Sequence, residues 1–274
     1  MVIDSHQHFW EYDPLEETWI TEDMRVLKRD FMPDDLGAIL LSMNIDGCVA
    51  VQAGQSEAET EFLLSLADKY DFIKGVVGWV DLRSPALEER LMLFSRHKKI
   101  CGFRHIVQSE TNGFMASKSF VEGVKKLAKY NFTYDLLIYH HQLDEALVFL
   151  EKVQDVKIVI DHLAKPSIRT NEITDWQKGM GAAARFENVW CKISGMVTEA
   201  DWKKWKYEDL TPYLDTVFEA FGTERLMYGS DWPVCLLAAS YEEQFSNVLT
   251  YLDRFSEDDR NSILGDNAGH FYGF

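Results

Sequence analysis

The sequence predicts a single-domain, distorted (β/α)8 barrel of the TIM type that spans residues 1–274. Short apolar runs rich in β-branched residues recur along the chain, and segments with helical periodicity lie between them. Consecutive runs begin roughly 25 to 45 residues apart, which is about one βα unit each. Eight such units in a chain of 274 residues make a barrel of ordinary size.

The composition of the predicted strands indicates that they are buried on both faces. Several runs are nearly continuous in Val, Ile and Leu, as strands of a parallel sheet are when helices cover them. The runs are VID (2–4), GCVAVQ (47–52), IKGVVGWV (73–80), ICGFRHIV (100–107), FTYDLLIY (132–139), VKIVID (156–161), NVWCKIS (188–194) and RLMYGS (225–230).

Several predicted helices begin at capping sequences. Ser56 and Ser240 each stand three residues before a Glu, which is the capping-box pattern. Ser84 followed by Pro85 offers an N-cap with proline at the first helical position. A doubly wound sheet is the alternative fold, but it usually has fewer strands, and the sequence contains neither a GxGxxG nor a Walker loop. Helical periodicity also covers 33–43, 118–130, 142–153, 175–186 and 209–221.

The composition disfavours several classes of partner. The formal net charge is −17 and the pI about 4.8, so we expect neither nucleic acid nor a membrane as partner. The four cysteines form no CxxC pair, which indicates reduced, buried thiols. No apolar run reaches the roughly 18 residues of a membrane helix, and no secretory leader is recognisable. We therefore expect a cytoplasmic protein, and the sequence is compatible with a homo-oligomer.

The first predicted strand ends in two histidines, His6 and His8. Residues i and i+2 of a strand point to the same side, and the carboxyl ends of all barrel strands meet at one pocket. Later strand ends bring Arg104, His162 and Asp231 to the same pocket. Apolar strands that end in such groups are costly unless the groups are paired or functional. The sequence therefore predicts one catalytic site built from the first, fourth, sixth and eighth strands.

Each of the later residues also has an ordinary structural explanation. His162 would serve as a hydrogen-bonded core histidine, Asp231 as a turn or cap residue, and Arg104 as an ion-pair partner inside the barrel. Asp161 directly precedes His162, so we expect its side chain to point away from that of His162 and to be structural.

A long connection follows the first strand, from about residue 7 to about residue 45, and is expected to lie over the barrel mouth. Its tryptophans Trp10 and Trp19, together with Trp232 after the eighth strand, are candidates to stack on a substrate. Strand five offers either Tyr139 or His140 to the pocket, because adjacent residues of a strand face opposite ways.

With these residues placed, the chain resembles the amidohydrolase superfamily. It is similar in particular to the branch of metal-independent or weakly metal-dependent lactonases for sugar acids and pyrone dicarboxylate. The matching stretches, which span essentially the whole chain, are IDSHQHFW, CGFRHIVQ, YDLLIYHHQL, IVIDHLAKP, KISG, YGSDWPV and DNAGHFY.

The resemblance implies a barrel enzyme that hydrolyses a small sugar-acid lactone, such as a fucono-, rhamnono- or galactono-lactone. It implies at most one divalent ion, zinc or manganese, on His6, His8 and Asp231, and it leaves a metal-free site open. A two-metal centre is not expected, because strand four supplies Arg104, which cannot bind a cation.

Lactone opening needs an activated water, a polarised carbonyl and a protonated leaving oxygen. Asp231 is the expected general base, because a carboxylate at the barrel mouth can take a proton from the attacking water. The imidazoles of His6, His8 and His162 are the expected donors to the oxyanion, directly or through a metal. Arg104 is expected to grip the carbonyl or a hydroxyl with its fork of donors, and Lys165 to touch the substrate.

Two other functions fit the same residues. A zinc-dependent decarboxylase of the same barrel family has a similar ligand set, but such enzymes usually carry a Glu near the first histidine pair, where this chain has Gln7. A non-catalytic sugar-binding barrel needs no base beside several proton donors. Acid release from a panel of lactones would discriminate all three functions.

Overall fold

The computed structural model describes residues 1–15 and 17–274. Eight strands form one sheet in chain order, and each strand pairs in parallel with the next. The predicted barrel is confirmed, since each strand overlaps the run predicted for it. The strands are β1 Ile3–Gln7, β2 Gly47–Val51, β3 Ile73–Gly78, β4 Ile100–Ile106, β5 Thr133–Leu137, β6 Ile158–Ile160, β7 Val189–Ile193 and β8 Leu226–Tyr228.

The barrel closes where β1 meets the end of β8. The backbone N–H of His8 donates to the carbonyl of Trp232 at 2.7 Å, and the N–H of Asp231 donates to the carbonyl of His6 at 2.8 Å. These two bonds fix the chain just after β8 beside the end of β1. The first and last strands therefore present their polar residues to the same space.

Helices connect successive strands along the chain, and further helices follow β8. The predicted caps Ser56 and Ser240 are confirmed, because each hydroxyl accepts a hydrogen bond at 3.1 Å from the N–H three residues later. Ser84 is not an N-cap: it accepts from the N–H of Ala86 in a turn, and the helix begins at Leu87. The helices are α1 Pro33–Ser42, α2 Glu57–Lys69, α3 Leu87–Phe94, α4 Lys118–Ala128, α5 Leu143–Leu150, α6 Thr174–Ala183, α7 Met196–Glu199, α8 Tyr207–Phe221, α9 Tyr241–Leu252, α10 Glu257–Asn261 and α11 Asn267–Tyr272.

The interior of the barrel changes character along its axis. At the amino-terminal base, Val49 of β2 and Trp190 of β7 belong to one buried apolar cluster with Phe271 of α11. Two residues further along β7, Lys192 is fully buried among charged groups. Two residues further again, Ser194 contacts a histidine of the site. Within the described residues, no helix is long and apolar enough to cross a membrane.

Candidate active site

Three imidazoles and one carboxylate converge at the carboxyl end of the barrel. The Nε2 atoms of His6, His8 and His162 lie 4.0, 3.4 and 3.8 Å from Oδ1 of Asp231. All four side chains are almost completely buried. The structure thus brings together residues from β1 and from the ends of β6 and β8, as the sequence predicts.

A left-handed turn after β6 positions His162. Residues 162–165 all have positive φ, between 47° and 57°. Each non-glycine residue in this region costs about 1–2 kcal/mol, so the surrounding packing must hold the turn. Because the turn ends the alternation of the strand, Asp161 and His162 both face the interior. The expectation that Asp161 points away from His162 is wrong, since a carboxylate oxygen of Asp161 and ring nitrogens of His6 and His162 lie within 4.8 Å of one another. Oδ1 of Asp161 lies 3.2 Å from Nδ1 of His6.

Two glycines make room for the imidazoles. A Cβ atom at Gly195, where φ is +62°, would lie 2.6 Å from Nδ1 of His162. A Cβ atom at Gly229 would lie 2.7 Å from the Cβ of His6. Both distances are shorter than real Cβ contacts, so only glycine permits the rings to sit where they do.

Hydrogen bonds at the far side of the rings orient His8 and His162. Nδ1 of His8 lies 2.7 Å from the carbonyl of Val51, which can only accept, so Nδ1 carries the proton. The Nε2 atom of His8 faces Asp231, at 3.4 Å from its Oδ1. Nδ1 of His162 lies 2.9 Å from Oγ of Ser194, whose hydroxyl can donate to it. In that arrangement the proton of His162 is on Nε2 and faces the site.

A charged layer, formed by Arg104, Asp135, Asp161 and Lys192, lies directly beneath the histidines. Nζ of Lys192 is 2.5 Å from Oδ2 of Asp135 and 3.1 Å from Oδ1 of Asp161. Nη1 of Arg104 is 3.0 Å from Oδ2 of Asp161. Lys192 also reaches Nδ1 of His6 at 3.1 Å. Lys192 was not predicted from the sequence, although a lysine inside the apolar run NVWCKIS is itself a signal of a buried partner.

Arg104 does not present a free fork to the cavity. Its Nη1 donates to Asp161 and lies 3.2 Å from Nε2 of His6, and its Nη2 donates to the carbonyl of Gln52. The expectation that Arg104 grips the substrate is therefore corrected: its terminal nitrogens are used to hold neighbouring groups. Its ion pair with Asp161 matches the structural explanation instead.

The pKa values make Asp231 the ionised member of the cluster. Burial opposes ionisation of Asp231, but the neighbouring imidazoles of His162 and His6 outweigh it and hold its pKa below the ordinary value. Burial lowers the pKa of His162 to about 4 and also holds the pKa of His6 well below its usual range. At neutral pH a carboxylate therefore faces the neutral imidazoles of His6 and His162.

A cavity of about 280 Å³ opens above the cluster. Its wall includes Trp10 and Trp19, whose rings meet edge to face at 6.0 Å, and Lys165 from the left-handed turn. The volume is near the lower end for small-molecule pockets, so the cavity suits a single small ring. A more voluminous open groove, about 1080 Å³, is lined by residues such as Asp144 and Trp176 of α5 and α6, outside the barrel. We place the site in the smaller cavity, because the buried histidines and Asp231 lie there.

Three predicted contact residues do not reach this cavity. Trp232 is 1% exposed and packs at 6.2 Å from the ring of Phe9 in the core. His140 uses both ring nitrogens, on the carbonyl of Lys165 at 2.8 Å and on a serine hydroxyl at 3.2 Å. The ring centroid of Tyr139 lies 5.6 Å from Nζ of Lys165, and Tyr139 is not part of the cavity wall. Tyr139 and His140 are displaced because β5 ends before them.

The donor atoms of His6, His8 and Asp231 fit one divalent metal ion. They lie within 4.8 Å of one another. Tetrahedral zinc binds nitrogen and oxygen at about 2.0–2.2 Å, which places ligand atoms about 3.4 Å apart. The separations of 3.4 and 4.0 Å from Asp231 therefore need only a small closing movement. The contact of His8 Nδ1 with the carbonyl of Val51 also leaves Nε2 as the atom available to bind a metal ion.

Comparison with known proteins finds one matching family model and several similar named proteins. Residues 3–274 match a family model described as Amidohydrolase. The chain is 40% identical to a protein named L-fucono-1,5-lactonase from Burkholderia multivorans, covering 98% of this chain and 95% of that protein. It is 33% identical to another of that name from Burkholderia ambifaria, with coverages of 98% and 94%.

A solved structure of an amidohydrolase from Burkholderia multivorans with bound zinc is similar to this fold. The two chains superpose with a TM-score of 0.97 at 39% sequence identity, over 100% of this chain and 99% of that one.

Proposed function

Because the chain belongs to the amidohydrolase family, we propose that it is a hydrolase that opens the ring of a sugar-acid lactone, with L-fucono-1,5-lactone as the first candidate. The relatives named L-fucono-1,5-lactonase, which match over nearly their whole length, support this substrate class. The observation that carries the proposal is the ionised carboxylate of Asp231, with three imidazole nitrogens 3.4–4.0 Å away, at the floor of a small cavity.

Asp231 acts as the general base. Its carboxylate takes a proton from the attacking water as the new C–O bond forms at the lactone carbonyl. The same group then returns the proton to the ring oxygen as the ring C–O bond breaks. Because the carboxylate is nearly buried, few waters compete for its lone pairs.

His162 stabilises the negative charge that develops on the carbonyl oxygen. With Ser194 donating to Nδ1, the proton on Nε2 points toward the reacting group beside Asp231. When a divalent ion is bound by His6, His8 and Asp231, it supplies Lewis-acid polarisation of the carbonyl or a more acidic water. Arg104 holds Asp161 and His6 in place from below.

The cavity walls bind the rest of the lactone. Trp10 and Trp19 offer flat apolar surfaces to the carbon face of a sugar ring. Lys165 also lines the cavity, where its ammonium group can donate hydrogen bonds to hydroxyls of the ring. Trp19 is 39% exposed, so its ring forms an outer, solvent-facing edge of the cavity.

The test is a panel of sugar-acid lactones at mildly alkaline pH, with acid release followed by an indicator. The panel contains L-fucono-1,5-lactone and the rhamnono- and galactono-lactones. We expect turnover of at least one member, and a loss of about two or more orders of magnitude in kcat for Asp231→Asn. A protein that opens none of these lactones, or a variant with unchanged turnover, would refute the proposal.

A further inference from the structure

Two cationic side chains line the cavity in the described part of the chain, and both are already paired. Arg104, which lines the cavity, is bound to Asp161 at 3.0 Å. Nζ of Lys165 lies 3.6 Å from Oε1 of Glu199, which belongs to the short helix α7 after β7. The side chains of Lys165 and Glu199 are only 20% and 22% exposed, so solvent screens this pair much less than a surface pair.

Pairing of both cations decides which substituents the cavity can accept. Hydroxyl groups exchange hydrogen bonds with water for hydrogen bonds with the wall at little net cost. An anionic substituent loses its hydration and finds no cation that is free to replace it. It also approaches Glu199 and Asp231, which repel it, and the net charge of −17 repels it at long range.

We propose that Glu199 is a specificity-determining residue, which neutralises Lys165 and thereby restricts the cavity to lactones without an anionic substituent. This inference rests on the proposed lactonase function and names the substrate class more narrowly. Glu199 was not singled out in the sequence, because its pairing with Lys165 joins the turn after β6 to the helix after β7, and these segments meet only in the folded barrel.

The same arrangement bears on the product. Ring opening converts a neutral lactone into a hydroxy acid, whose carboxylate lies beside Asp231. With the cavity cations already paired, repulsion between the two carboxylates favours departure of the product. The pairing therefore selects a neutral substrate and disfavours retention of its anionic product.

The test compares two lactones that share one ring configuration. L-galactono-1,4-lactone carries a neutral hydroxymethyl end, and the matching galactaro-1,4-lactone carries a carboxylate there. We expect the wild type to have a kcat/KM at least about tenfold higher for the neutral member. Glu199→Gln keeps the size of the side chain and frees Lys165, so the ratio of anionic to neutral kcat/KM rises about tenfold.

Two further variants isolate the cause. Adding Lys165→Met to Glu199→Gln removes the freed cation, and the ratio is expected to return toward the wild-type value. Glu208→Gln on the exposed face of α8 changes the net charge by the same amount, and the ratio is expected to stay unchanged.

The outcomes separate this inference from the lactonase proposal. An unchanged ratio in folded Glu199→Gln overturns the inference, and so does a wild type that opens the anionic member equally well or opens neither member. The wild-type ratio needs no variant, so the inference is tested even where Glu199→Gln does not fold. Inactivity toward the whole lactone panel refutes the lactonase proposal instead.

Discussion

The two ends of the barrel interior are built from opposite kinds of side chain, and β7 shows the change within one strand. Trp190 lies in the apolar cluster at the base, while Ser194 orients a histidine of the site. The apolar base is the amino-terminal end of the barrel interior, and it contributes hydrophobic burial. The rim is the carboxyl end, where the site histidines and Asp231 lie, and it contributes directed hydrogen bonds. Stability and chemistry are therefore separated along the barrel axis, with Lys192 at the boundary between them.

The charged layer at this boundary is where the fold holds its most costly groups. Burial raises the pKa of Asp135 to about 6, even though Lys192 lies beside it. Burial also opposes ionisation of Asp161, but Lys192, His6 and Arg104 outweigh it and hold its pKa well below the usual range. Such groups are tolerated only as a complete set, because each one compensates the charge of another.

The largest effect, on the free energy of unfolding, is expected from Lys192→Met, which removes the buried cation at this boundary. The substitution leaves Asp135 and Asp161 without their shared cation, and loss of one partner of a buried pair costs about 3–5 kcal/mol of unfolding free energy. Urea unfolding followed by circular dichroism measures it. Lys178→Met, in an exposed pair with Asp175, is the matched control and should stay within about 0.5 kcal/mol of the wild type. Equal losses in both variants would contradict the distinction.

Asp231→Asn tests the rim and should lower activity without lowering stability. Loss of the general base reduces kcat by at least about a hundredfold, while the isosteric amide keeps the packing. Lactone turnover and thermal unfolding are measured on the same samples. Asp155→Asn on the surface is the control, with both quantities unchanged. A variant that loses stability as well as activity would show that the rim is not separable from the fold.

Phe271→Leu tests the apolar base of the barrel and should lower stability without lowering activity. Removal of part of a fully packed ring of α11 lowers the unfolding free energy by about 1–2 kcal/mol. The kcat for lactone opening should be retained at temperatures where the variant is folded. A loss of kcat in the folded variant would mean that packing at the apolar base of the barrel affects the catalytic residues at the rim.

The smallest effect, on the melting temperature, is expected from zinc binding. An ion that binds the folded protein and not the unfolded chain raises the melting temperature, here by a few degrees at saturating zinc after prior chelation. His8→Ala removes one of the three ligand side chains and should abolish the shift. A shift of the same size in both proteins would place the ion elsewhere.

The sequence was informative about the site wherever position along the barrel decides the outcome. His6, His8, His162 and Asp231 could be grouped because parallel strands all end on one face. Trp10 and Trp19 could be placed over the mouth because their loop follows β1 and is long. Position along the barrel did not predict the roles of Trp232 and Arg104 correctly. The ring of Trp232 packs into the core, and the guanidinium of Arg104 is hydrogen-bonded to Asp161.

By itself the sequence determined the eight strands, their order and the residue types at their carboxyl ends. Apolar periodicity and chain order are sufficient for this, because a barrel arranges its strands as they occur along the chain. Only the tertiary structure decided the direction of Asp161, the partners of Lys192 and the pairing of Lys165 with Glu199. These depend on the left-handed turn after β6 and on side chains distant in sequence, neither of which leaves a periodic signal.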